Sequence, residues 1–306
     1  MNEQNKKMEL LGNAPMPKAL VSLGIPIMIG MLINALYNLV DAYFVGGLGE
    51  SPMGAISIVF PLGQVVVGLG LMFGNGAASY LSRLLGSGDK KTANIVASTA
   101  LYSSVLIGAV LIIFATIFLK PILTSLGATE TIMPYALTYA RIYVISCIFN
   151  VFNVTMNNIV ASEGAAKTTM CALLLGAVIN IGLDPLFIYT FDMGVAGAAI
   201  ATAISQFVST LVYLTYILRK KSAFTFSIKE FIPTQQTFVE ILKIGIPTLT
   251  FQLLTSLSIA LINRASSDYG DAVIAGMGAV TRVTSMGTLV VFGFLKGFQP
   301  IAGFSY

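Results

Sequence analysis

The chain has 306 residues, 56% of them apolar and only 10% charged, with a formal net charge of +4 and a mean hydropathy of +0.86. A soluble domain takes about a quarter of its residues from the charged set, so this composition cannot cover a water-exposed surface. There is no His, so the commonest zinc ligand and the usual general base are both missing, which argues against a membrane metalloenzyme.

A helix of about 20 apolar residues crosses the roughly 30 Å hydrocarbon layer. Eight segments reach that length. The first, Ala19 to Gly46, follows Lys6, Lys7 and Lys18 like a signal peptide, but it is too long for one, holds Pro26 and Asp41, and lacks a small-residue cleavage site. Met53 to Leu81 and Ala93 to Leu119 follow. The fourth, Ile132 to Val160, carries Asn150, Asn153 and Asn157; the fifth, Thr168 to Thr190, carries Asn180 and Asp184; the sixth, Val195 to Leu218, carries Thr202 and Gln206. A charged linker, Arg219 to Glu240, contains Phe224, Phe226, Ile228, Phe231 and Ile232 before Pro233, the composition of a short amphipathic surface segment or of a loop anchored by aromatics. Ile241 to Ile262 and Val273 to the end complete the set. All are too long and continuous for barrel strands, so the expected fold is an all-α polytopic membrane protein.

Lysine and arginine gather in cytoplasmic loops. With the N-terminus inside, Lys6, Lys7, Lys18, Arg83, Lys90, Lys91, Lys167, Arg219, Lys220, Lys221, Lys229 and Lys243 fall on the cytoplasmic side, against Lys120, Arg141 and Arg264 outside. Arg282 and Lys296 remain within the last span. These cations mark span boundaries rather than one stripe, so no nucleic-acid partner is implied. Cys147 and Cys171 lie within spans and do not indicate a disulfide framework.

An internal repeat runs through the chain at a constant offset of 221: Gly24, Ile25 and Pro26 recur as Gly245, Ile246 and Pro247, Leu32 as Leu253, Gly49 as Gly270, Phe73 as Phe294 and Gly76 as Gly297. Spans seven and eight therefore repeat spans one and two, as transporter folds built of whole repeats do. The expected organisation is a six-helix lobe over residues 1–218, a cytoplasmic linker over 219–240, and the first two helices of a second lobe over 241–306, with four helices absent. Spans seven and eight should then expose Thr255, Ser256, Ser266 and Gly276.

Asp41 and Asp184 are the carboxylates well inside spans, where a charge costs a few kcal/mol and needs a reason. Tyr37 lies one turn before Asp41 and Asn180 one turn before Asp184, on the same helix faces. With Thr202 and the cavity-lining candidates Asn150, Asn153, Asn157 and Gln206, they outline a polar cavity able to exchange a proton or to replace the hydration shell of sodium. The alternative is that the amides and hydroxyls only bond helices together. Gly74 and Gly76 sit within a span without a following Lys and hydroxyl pair, which fits helix packing rather than a phosphate loop.

The runs YNLVDAYFVGGLG from Tyr37, GNGAASYLSRLLGSGD from Gly74, NIGLDPLFI from Asn180, GVAGAAIATAISQ from Gly194 and GFQPIAGFSY at the end resemble the multidrug and toxin extrusion (MATE) transporters, in their bacterial MepA-like branch. The resemblance implies two six-helix lobes around a V-shaped cleft, export of drugs and organic cations against protons or sodium, a monomer when full length, and a bacterial plasma-membrane location with the N-terminus in the cytoplasm. It assigns cation coupling to Tyr37, Asp41, Asn180, Asp184 and Thr202, with sodium held by Asp41, Asn180, Asp184 and Thr202, and no other cofactor. A lipid-linked oligosaccharide flippase is the alternative, kept open by Arg282 and Lys296; neither a nucleophile and base pair for an enzyme nor a channel filter is visible.

Overall fold

The computed structural model describes residues 9–12 and 14–305; Lys6, Lys7 and Tyr306 lie outside the described residues. Eight long helices follow the eight apolar segments: α1 Met16–Gly46, α2 Glu50–Ser87, α3 Lys90–Ile117, α4 Met133–Ser162, α5 Ala166–Pro185, α6 Gly194–Leu218, α7 Gln235–Ser267 and α8 Asp271–Ser305. A short helical segment, Leu119–Ser125, follows α3. The first seven are long and apolar enough to cross a membrane, and α8 runs for 35 residues. The chain is a multi-pass membrane protein.

Local chemistry sets the ends. Asp89 caps α3 by accepting from the Thr92 hydroxyl at 2.6 Å and the Thr92 amide at 3.1 Å, and these bonds hold its carboxyl below the usual carboxylate range. Thr234 caps α7 in the same way, accepting from the Thr237 amide at 3.2 Å. The turns after α1 and α7 pass through Gly49 (φ 120°) and Gly270 (φ 95°), repeat partners that share a backbone conformation side chains disfavour. Neither has crowded surroundings. Gly49→Ala and Gly270→Ala should therefore each cost about 1–2 kcal/mol through backbone strain alone, read as similar losses of melting temperature in detergent.

The hub is α2, the most enclosed of the seven spans, packed by α3, α4, α7 and α8. Small residues let backbones meet. A Cβ on Gly76 would lie 2.1 Å from the Ile241 carbonyl oxygen, and one on Gly245 would lie 2.3 Å from that of Met72, so α2 and α7 touch along their backbones. In the repeat-related pair, a Cβ on Gly297 would lie 2.5 Å from the Gly24 Cα, and one on Gly24 would lie 3.2 Å from the Phe294 ring. Thus α1 meets α8 as α7 meets α2, and the offset of 221 is a contact relation as well as a sequence one.

Pro61 interrupts the α2 ladder, because it has no amide to offer the Ser57 carbonyl four residues back. Asn263 of α7 supplies the donor, its Nδ2 lying 2.9 Å from that oxygen, and the Ser256 hydroxyl donates to the Pro61 carbonyl at 2.8 Å. This corrects the expectation for the second repeat. Ser256 and Ser266 are buried, while Gly276 is exposed and Thr255 intermediate. The reason is that α7 turns its small polar face to α2 and presents Phe251, Leu254, Leu257 and Leu261 outward.

The linker forms one 3-10 turn, Ile228–Glu230, and no amphipathic helix. Phe224 is buried against α2 and α3, Phe231 meets Tyr102 edge-on at 5.9 Å, and the Thr225 amide donates to Asn94 Oδ1 at 3.0 Å. Its start is fixed by Glu163, a buried carboxylate at the end of α4 that accepts from the Tyr216 and Ser222 hydroxyls and the Ala223 amide.

Candidate functional site

Asp41 lies near the end of α1 and Asp184 near the end of α5, helices packed side by side. Pro185 offers no amide to the α5 ladder, which widens into a π-turn over Leu186–Thr190. That turn brings the Tyr189 hydroxyl to the Phe44 carbonyl at 2.6 Å, latching α5 to α1 just beyond Asp41. On the other side Gly197 of α6 lets the two backbones meet, since a Cβ there would lie 2.7 Å from the Phe187 carbonyl. The three helix ends are thereby held around both carboxylates.

Both aspartates are buried, at 5% and 0% exposure, and each lies within electrostatic range of the other. Asn180 Nδ2 donates to Asp184 Oδ1 at 3.3 Å. Among the buried oxygens that have no partner within the described residues, three belong to this group: Asp41 Oδ1, Asn180 Oδ1 and Asp184 Oδ2. Oxygens in that condition are costly unless a proton or a small hard cation comes to them. Tyr37 stands one turn from Asp41 and Tyr139 of α4 also faces it within electrostatic range. Thr202 is buried on α6 without a hydrogen bond to either carboxylate.

The amides divide. Asn153 Nδ2 donates to the Gln206 carbonyl at 2.8 Å and its Oε1 at 2.9 Å, and Asn153 Oδ1 accepts from the Thr210 hydroxyl at 3.0 Å. Asn157 Nδ2 donates to the Tyr213 hydroxyl at 3.1 Å. These groups bond α4 to α6, while Asn150 keeps a buried oxygen without a partner among the described residues.

Arg282, singled out in the sequence as a cation within the last span but given no place in this site, joins it. It is 8% exposed on α8, its Nη1 donating to the Asn38 carbonyl of α1 at 2.9 Å and lying 3.8 Å from Asp41 Oδ2, with its guanidinium 5.4 Å from the Phe60 ring centre. The only signal available was a cation stranded inside an apolar span. Lys296 donates to Asn158 Oδ1 at 3.0 Å.

The MatE family profile matches residues 26–186, more than half of the chain and both aspartates. The chain belongs to the MATE family. It is 32% identical over 290 residues to the multidrug export protein MepA of Staphylococcus saprophyticus, covering 94% of this chain and 64% of the relative, so it spans somewhat less than two thirds of that protein. Among solved structures, an outward-facing multidrug resistance MATE transporter of the MOP superfamily superposes with a TM-score of 0.88 at 32% identity, over 98% of this chain and 67% of the other. A MOP superfamily transporter from Pyrococcus furiosus, described by the reversed polarity of its binding pocket, gives the same score, identity and coverage.

Proposed function

We propose that the chain carries the cation-binding lobe of a multidrug exporter in the bacterial plasma membrane, moving organic cations and other amphipathic compounds outward against protons or sodium. The observation that supports this most is the set of buried, unpartnered oxygens on Asp41, Asp184 and Asn180 across α1 and α5. Neutral oxygen from Asn180 beside two carboxylates suits one monovalent cation, and Thr202 completes the set if α6 moves closer. Residues 1–218 form the first lobe, 219–240 the linker, and α7 and α8 open a second lobe. The flippase alternative is not favoured: the relatives are export proteins, and both intramembrane cations already have partners in Asn38, Asp41 and Asn158.

Dye efflux from proteoliposomes, under an imposed pH gradient and then an imposed sodium gradient, tests the reading. One gradient should drive efflux and collapse of that gradient should stop it; equal efflux with neither would overturn it. Orientation is part of the proposal, with the linker on the cytoplasmic face. Single cysteines at Lys221 or Lys229, in a background lacking Cys147 and Cys171, should resist an impermeant thiol reagent in intact cells and react once the membrane is opened.

A further inference from the structure

Resting on the reading of Asp41 as a cation site, we propose that Arg282 is a resident counter-cation that competes with the driving ion for the Asp41 carboxylate, so that ion binding releases α8 from α1.

The geometry is that of a removable partner. Arg282 is held to α1 by a direct hydrogen bond to the Asn38 carbonyl and rests on the Phe60 ring of α2, yet its nearest approach to Asp41 is 3.8 Å, beyond hydrogen-bonding distance. An ion pair without a shared hydrogen bond keeps its attraction but forgoes the directional part that makes buried pairs hard to separate. A proton or sodium ion can therefore take Asp41, which leaves the single bond to the Asn38 carbonyl as the last polar tie of the guanidinium to α1, while the Phe60 face of α2 stays available once that bond is given up.

Charge balance makes the exchange two-sided. Facing Asp41 are Tyr37 on its own helix, Tyr139 on α4, Asp184 on α5 and Arg282 on α8. With both carboxylates ionised and Arg282 docked, the group carries one net negative charge, the same charge that it carries with a monovalent cation bound and Arg282 withdrawn. With Arg282 withdrawn and no cation bound it carries two, which a dry site does not tolerate. Arg282 can leave only when the ion has arrived.

Position gives this local exchange a mechanical reach. The backbones of α1 and α8 already touch at Gly24 and Gly297 and at Met28 and Gly293. Arg282 makes its contact with α1 farther along, at Asn38 and Asp41. The repeat supplies no equivalent, since the offset of 221 carries Asp41 to Ile262 and Arg282 to Pro61. The charged link therefore belongs to the α1 and α8 pair alone, and undoing it opens that pair at one end while α2 and α7 stay closed.

The test uses the whole chain in lipid nanodiscs, with Cys147→Ala and Cys171→Ala, and spin labels on Tyr43→Cys and Val280→Cys, both exposed. Sodium chloride, with choline chloride as control, and acid are the two probes; affinity and label separation are the readouts. The ion that binds should lengthen the separation in the parent chain. Arg282→Gln should show the long separation without any ion and bind that ion roughly tenfold or more tightly, the scale on which an adjacent guanidinium acts on a carboxylate. Arg282→Lys, which keeps the charge, should stay close to the parent. If Arg282→Gln does not fold, Phe60→Leu should shift both readouts in the same direction to a smaller extent. Parent-like affinity and separation in the variant that folds overturn the proposal. Asp41→Asn separates the two readings: if it leaves ion binding intact, the site itself is misassigned, whereas if it abolishes binding and Arg282→Gln changes nothing, only the role of Arg282 falls.

Discussion

Asp41→Asn and Asp184→Asn should each reduce gradient-driven efflux to background, yet they should change stability in opposite senses. Both remove a carboxylate that a cation must visit, so coupling is lost in either case. Asp184 has no cationic partner among the described residues, only the Asn180 amide and the neighbouring charge of Asp41. Making it neutral relieves a like-charge pair, and the melting temperature should hold or rise. Asp41 is paired with Arg282, and its removal leaves a guanidinium buried without its countercharge, a loss of about 3 kcal/mol on the scale seen for broken buried pairs. The double variant Asp41→Asn, Arg282→Gln should recover part of that loss without recovering efflux. Thermal melting in detergent beside vesicle efflux reads both; equal melting shifts for the two aspartate variants would contradict the pairing.

The second large effect is expected at the backbone contacts. Gly76→Val and Gly297→Val place carbon atoms where the Ile241 carbonyl and the Gly24 backbone already lie, and neither neighbour is the flexible end of a side chain. Overpacking of this kind costs about 1–3 kcal/mol, and here it should also part α7 from α2 or α8 from α1. Gly287→Ala is the control, since nothing stands within 4 Å of its position. It should be neutral or stabilise by about 0.5–1 kcal/mol, as Ala does in helices. Size-exclusion profiles and melting curves of the three variants distinguish a packing role from a general intolerance of substitution.

The spans were legible because membrane crossing demands long apolar runs, and helix ends fall within a few residues of those runs. Asp41 and Asp184 were legible for the complementary reason, that a carboxylate in such a run stands out. Partners were not. Arg282 reaches Asp41 from a helix more than two hundred residues away, and only packing decides which carboxylate it meets. Ser256 and Ser266 were assigned to the wrong side because helical periodicity finds a polar face without saying what that face touches. Glu163 sits at a helix end, where a sequence pattern places loop residues, and its burial depends on the linker folding back over it. Asn153 and Gln206 share a bond that spacing on either helix cannot reveal.

The bond from Asn263 to the Ser57 carbonyl has a mechanical consequence. A proline bend is usually regarded as a joint, free to flex because its own helix no longer ties it. In α2 the untied carbonyl is gripped by another helix, so drawing α7 away would strand a bare oxygen in hydrocarbon, at a cost of several kcal/mol. The joint is locked for as long as the two helices travel together. Helices α2 and α7 thus form a single strut across the boundary between the repeats, and large movement must be taken up elsewhere.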